Sequence, residues 1–69
     1  MERELVMMQL ARLHALAKVL SRESKELSEQ DGRLRIELDD IAERARSVQA
    51  ALYVLWSQER DRYNQLGNG

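Results

Sequence analysis

The chain holds few side chains from which a reactive site could be assembled. His14 is the only histidine and there is no cysteine. No second histidine and no acid stands at metal-ligand spacing from His14. The three glycines, Gly32, Gly67 and Gly69, form no phosphate-binding loop. We therefore predict no enzymatic activity, no cofactor and no metal, and we expect His14 to be a surface residue pointing away from any helix seam.

Paired arginines in the second half are the feature that suggests nucleic-acid binding. Arg33 and Arg44 lie on one flank of a helix and Arg35 and Arg46 on the opposite flank, because eleven residues complete three helical turns. Such rows could contact a phosphate backbone. However, acidic residues alternate with the arginines, and the net charge is -1. Both observations argue against nucleic acid as the main partner.

The distribution of helix-breaking residues predicts two long helices. Proline is absent, and Gly32 is the only glycine before the last three residues. We expect Gly32 to adopt the left-handed conformation that closes a helix, with Asp31 beside it in the turn. The predicted architecture is all-α, a single domain spanning 1–69: a helix over about 2–30, a turn at about 31–32, a helix over about 33–65 and a loose tail at 67–69.

Apolar residues recur at alternating steps of three and four, which is the heptad spacing of a coiled-coil seam. Folding the chain back at Gly32 brings the two series face to face, so the pattern predicts an antiparallel, coiled-coil-like hairpin. The seam would weaken near the termini, where charged residues occupy its positions. The predicted seam residues are Val6, Leu10, Leu13, Ala17, Leu20, Ser24 and Leu27 in the first helix, and Leu34, Leu38, Ile41, Ala45, Val48, Leu52 and Leu55 in the second.

An alternative is one continuous long helix in a coiled coil. The heptad register does not skip at the glycine, since Leu27 and Leu34 are seven residues apart. Glu29 and Arg33 form an acid–base pair across it at helical spacing. Replacing Gly32 by Ala should separate the two readings, because a rod should gain stability and a hairpin should lose its turn.

Apolar side chains lying beyond the seam predict a partner. Two helices have one interface, and leaving a second apolar stripe in water would create an association surface. We expect two copies to pair into a four-helix bundle, or another helical protein to dock there. Trp and Tyr are common in binding hot spots, although they also fill cores. The predicted partner or dimer interface is Leu5, Met8, Leu16, Val19, Tyr53, Trp56 and Tyr63.

These patterns lead to a hypothesis for function. We expect a non-enzymatic protein–protein interaction module, such as a small adaptor, chaperone or regulator. The alternatives are a dimeric hairpin that binds RNA or DNA, and a purely structural coiled-coil segment. The longest apolar run, Ala50 to Trp56, is too short to cross a membrane. With no cysteines and no basic start, the chain is expected to be cytoplasmic.

Overall fold

The protein is a helical hairpin. A computed structural model describes residues 2–68, with side chains for residues 2–65. Its elements are α1 (Arg3–Gln30), a 3-10 turn (Gly32–Leu34) and α2 (Arg35–Asn68). The two helices run antiparallel and pack against each other in a rod measuring 55 × 15 × 15 Å. The all-α hairpin prediction is confirmed, and the alternative of one continuous helix is wrong.

The break between the helices comes from Asp31 rather than from a special glycine conformation. Asp31 is extended, with φ -115° and ψ 100°, and its N–H donates to the carbonyl oxygen of Leu27 at 2.9 Å. Its carboxylate accepts a hydrogen bond from the backbone N–H of Arg33 at 3.0 Å. Asp31 therefore closes α1 and caps the turn that follows. The expectation of a left-handed Gly32 is wrong, because no described glycine has a positive φ.

The end of α2 differs from the prediction as well. The helix continues to Asn68, past the predicted end at about 65. Gly67 is therefore inside the helix, where a glycine costs about 1 kcal/mol without being forbidden. Gly69, the last residue of the predicted tail, lies outside the described residues.

Small residues form the centre of the contact between the helices. A side chain no larger than serine lets two helix backbones approach closely, and the larger residues are displaced to either side. Leu10 and Leu52 remain half-buried and extend the seam toward the termini. The buried residues are Ala17, Ser21, Ser24 and Ser28 of α1 and Ala42 and Ala45 of α2.

The observed seam is therefore rotated about each helix axis, relative to the predicted seam, toward the small residues. Ala17, Ser24 and Ala45 are buried as predicted. Val6, Leu10, Leu38 and Leu52 remain partly buried at the seam. The other seven large members are roughly half-exposed, because the helices meet over the serines and alanines beside them. The predicted seam residues that the structure places at the surface are Leu13, Leu20, Leu27, Leu34, Ile41, Val48 and Leu55.

Serine is tolerated in this seam because its hydroxyl can bond to its own helix. Ser28 Oγ donates to the carbonyl oxygen of Lys25 at 2.6 Å. Over the side chains that the structure describes, no buried nitrogen or oxygen lacks a hydrogen-bond partner. The most deeply buried serine therefore has its hydroxyl satisfied, which removes the main cost of burying a polar group at that position.

Because Gly32 is not left-handed, the expectation that Gly32→Ala would cost the hairpin its turn no longer holds. The substitution should instead stabilise the hairpin by about 0.4–1 kcal/mol, because alanine restricts the unfolded chain. The native turn accepts it, since φ is negative and a Cβ there would meet nothing within 4 Å. Urea unfolding followed by circular dichroism measures the change. A loss of stability would show that the turn depends on glycine after all.

Enlarging the seam should force the helices apart. Ala45→Leu inserts three carbons at a position that is 5% exposed, and such overpacking typically costs about 1–3 kcal/mol. Ala50→Leu makes the same change on the exposed surface of α2 and is the control. Thermal unfolding of the two variants should show a lower midpoint for the seam variant alone; equal midpoints would contradict the small-residue seam.

Candidate functional site

One side of the hairpin carries nine large apolar side chains, which together we call the leucine face. Each of its side chains is between 42% and 54% exposed. Seven of the nine follow one another at seven-residue steps through both helices and the turn. Because the chain reverses at Asp31, these residues share one side of the rod. The leucine face consists of Leu5, Leu13, Leu16, Leu20, Leu27, Leu34, Ile41, Val48 and Leu55.

An aromatic cluster lies on the opposite side of the seam. The ring centroids of His14 and Tyr53 are 5.9 Å apart, with the planes inclined at 51°. Those of Tyr53 and Trp56 are 6.2 Å apart, at 34°. The Arg60 guanidinium carbon is 5.0 Å from the Trp56 ring centroid, within cation–π range. With Ala11, the three rings line an open cleft of about 220 Å³.

The position of His14 corrects the sequence prediction. His14 is half-buried and faces α2, where it packs on Tyr53, rather than pointing away from the other helix. The rotation of the seam explains this result. Turning α1 toward Ser21 and Ser28 brings the flank that carries His14 into contact with α2 and moves Leu13 and Leu20 outward.

The predicted interface residues do not form a single patch. Leu5 and Leu16 belong to the leucine face, whereas Tyr53 and Trp56 belong to the aromatic cluster. The other three lie apart: Met8 and Val19 on outer parts of α1, and Tyr63 at the end of the hairpin that carries the termini. Sequence reasoning missed most of the leucine face because it assigned those residues to the seam. The unusual number of serines at the adjacent positions was the available signal.

Polar contacts hold the end of the hairpin that carries the termini. Glu59 accepts hydrogen bonds from Arg3 at 3.1 Å and from Arg62 at 3.2 Å, through separate oxygens. The Tyr63 hydroxyl donates to the Glu4 carboxylate. That hydrogen bond and the negative charge of Glu4 raise the pKa of Tyr63 above its usual value. The predicted weakening of the apolar seam is thus compensated there by charged contacts between the helices.

A second polar contact joins the helices near the turn. Lys25 Nζ lies 3.4 Å from the Asp39 carboxylate. The neighbouring Ser28 hydroxyl and then the Lys25 ammonium lower the pKa of Asp39. Ser28 Oγ also donates to the carbonyl oxygen of Lys25 at 2.6 Å, so the hydroxyl lies between the end of α1 and the Asp39 carboxylate. Together with the Glu59 contacts, this pair fixes how the helices slide along each other.

The arginine rows lie among acids. Arg44 Nε is 2.8 Å from Asp40 Oδ2, a pair within one helical turn. Arg46 borders a shallow depression whose lining also includes Asp40 and Glu43. A phosphate backbone approaching this side of α2 would meet carboxylates as well as guanidinium groups, which weakens its attraction.

Comparisons with known proteins identify no relative. The sequence matches no family model, and no curated protein and no solved structure is significantly similar to the chain. Within residues 2–68, no three His, Asp or Glu side chains are grouped so that they could hold a metal ion. Neither helix, over the same residues, has the length and apolar content that crossing a bilayer requires.

Lowering the pH should remove the contribution of the Asp39 contact. The pKa of Asp39 is lower in the folded chain, so its contribution to stability is complete above the unfolded value of about 3.9 and is lost as the pH falls through the folded value. We expect Asp39→Asn to flatten the acid side of the stability profile slightly, since the pair is exposed. Glu43→Gln is the control, and urea midpoints from pH 6 to pH 2.5 measure the effect. Equal slopes for the two variants would contradict it.

Proposed function

We propose that the protein is a non-enzymatic protein–protein interaction module that self-associates through the leucine face. The observation that carries the proposal is that face itself: nine large apolar side chains on one side of a two-helix rod, each about half-exposed. Contiguous apolar surfaces of this kind mark association sites in small domains. The proposed function is association with another protein chain, a property that adaptors, chaperones and regulators have in common.

The accessible surface of the chain supports this proposal. A compact monomer of 8.1 kDa is expected to expose about 4,500 Å², whereas the hairpin exposes 5570 Å². The excess of about 1,000 Å² is close to the roughly 800 Å² that one partner buries in a specific protein–protein interface. The surface left uncovered by folding is therefore large enough for a stable complex.

The interior of the hairpin supports the same conclusion. The only buried apolar residues among those described are Ala17, Ala42 and Ala45. Alanine contributes little apolar area, and domains of this size seldom reach a few kcal/mol of stability from one core. Stacking two leucine faces would give the chain the large apolar core that it lacks, in the form of a four-helix bundle.

Neighbouring residues of α2 provide a matched test. Leu55 is on the leucine face and 48% exposed, whereas Val54 is off the face and 51% exposed. Leu55→Glu would place an unpaired charge in the proposed interface, which costs several kcal/mol and should raise the dimer dissociation constant at least 100-fold. Val54→Glu places the same charge on the solvent-exposed surface and should leave the dimer dissociation constant unchanged.

Light scattering over a concentration series measures the outcome. The native chain should give twice the 8.1 kDa of one copy, as should the Val54 variant, while the Leu55 variant should move to the monomer mass. A native chain that stays a folded monomer at high concentration, or equal dissociation constants for the two variants, would overturn the proposal.

A further inference from the structure

We infer that two copies pair antiparallel, with their turns at opposite ends, α1 on α1 and α2 on α2, about a two-fold axis near Leu16 and Val48. This arrangement rests on the proposed self-association and specifies the occupant of the leucine face as a second copy of this chain. In a symmetric pair of this kind, a residue on one side of the axis contacts a residue equally far on the other side. The apolar positions must then be symmetric about a centre in each helix.

The leucine-face positions of α1 meet this requirement. Leu13 and Leu20 lie almost equally far from Leu16 along the helix, and so do Leu5 and Leu27. Placing α1 antiparallel on α1 of a second copy sets Leu13 against Leu20, Leu5 against Leu27, and Leu16 against itself. Every leucine of this face in α1 then meets a leucine.

The apolar positions of α2 are symmetric as well. Ile41 and Leu55 are each seven residues from Val48. An antiparallel α2 pair sets Ile41 against Leu55 and Val48 against itself. The outer position Leu34, in the turn, falls against Arg62 of the second copy, whose aliphatic stem can cover it.

A single axis can serve both helices only if their two centres are level along the rod. The contacts across the seam show that they are. His14 packs on Tyr53 and Lys25 pairs with Asp39. Between these contacts, Leu16 and Val48 lie level to within about one helical turn, which is about 5 Å. The symmetry centre of each helix therefore coincides with that of the other, a property that the fold decides and neither helix has alone.

Charges at the edges of the face are complementary in the same arrangement. Arg12 and Glu23 each precede a face leucine by one turn, and Glu37 precedes Ile41 in the same way. The symmetry that pairs the apolar residues sets Arg12 level with Leu20 of the second copy, three residues or about 4.5 Å from Glu23, and leaves the same offset between Glu37 and Arg62 of the second copy. A long arginine side chain spans that offset. Both pairs occur twice, and opposite charges at an interface edge favour one orientation over another.

The arrangement with both turns at one end fits less well. It would place α1 on α2 of the second copy and set Leu5 against Arg62 and its polar neighbours. At the edge of the face, this arrangement would bring Glu23 of one copy near Arg44 of the other. No acidic residue of the second copy would lie near Arg12. The antiparallel arrangement therefore satisfies more of both the apolar and the charged positions.

A distance between the two turns separates the arrangements. The chain has no cysteine, so Arg33→Cys gives one spin-label site per copy in the exposed turn. Turns at opposite ends should give a label–label distance near the 55 Å length of the rod. Turns at one end would give about 20 Å, twice the usual distance between packed helix axes. A distance of that order would overturn the antiparallel arrangement.

Cross-linking tests the axis directly. Under mild oxidation Val48→Cys and Leu16→Cys should each form covalent dimers rapidly, because each residue lies against its own copy, and Val54→Cys should not. If these variants cross-link no faster than Val54→Cys while the chain is dimeric, or if Leu16→Cys links to Val48→Cys in a mixture instead, the axis is wrong.

Self-association and the antiparallel arrangement are contradicted by different results. A dimer with a short distance between turns overturns the antiparallel arrangement and leaves the proposed self-association standing. A native chain that is monomeric by light scattering overturns both. Because the mass of each labelled variant is measured beside the native chain, a change caused by the label itself is recognised.

Discussion

The close approach of two helices over serine and alanine is the contact on which the rest of the structure depends. Ser21, Ser24 and Ser28 of α1 and Ala42 and Ala45 of α2 are all buried, so small side chains occupy the centre of the contact. Small residues contribute little hydrophobic free energy, so this seam orients the helices without stabilising them strongly. The same seam determines which side chains are turned outward.

The leucine face and the aromatic cluster are the two consequences of that orientation. Rotating both helices about the seam moves the leucines to one side of the rod and brings His14, Tyr53 and Trp56 together on the other. The first is long, flat and aliphatic, and suits a second rod of the same length. The second is short and presents aromatic rings and a guanidinium group, so the two surfaces differ in both length and chemistry.

Polar contacts at the two ends set the register between the helices. Apolar packing tolerates sliding by one turn, whereas an ion pair loses its geometry within a few ångströms. The Glu59 contacts at one end and Lys25–Asp39 at the other therefore determine which residues are level. They are exposed and individually weak, yet the symmetry of the leucine face depends on the register that they select.

The sequence by itself determined the helical content and favoured a hairpin with a turn near Gly32, because proline and glycine placement and heptad spacing are local properties of the chain. The unbroken heptad register left one continuous helix open, and the structure decided between the two. The sequence did not determine which face of each helix becomes the seam. Two stripes one position apart, one with leucines and one with serines and alanines, satisfy the same spacing. The tertiary structure selected the small stripe, since the helices can approach closely only there, and so placed Leu13, Leu20 and Val48 at the surface and His14 against Tyr53. Asp31, and not a left-handed Gly32, made the turn because one carboxylate could cap it.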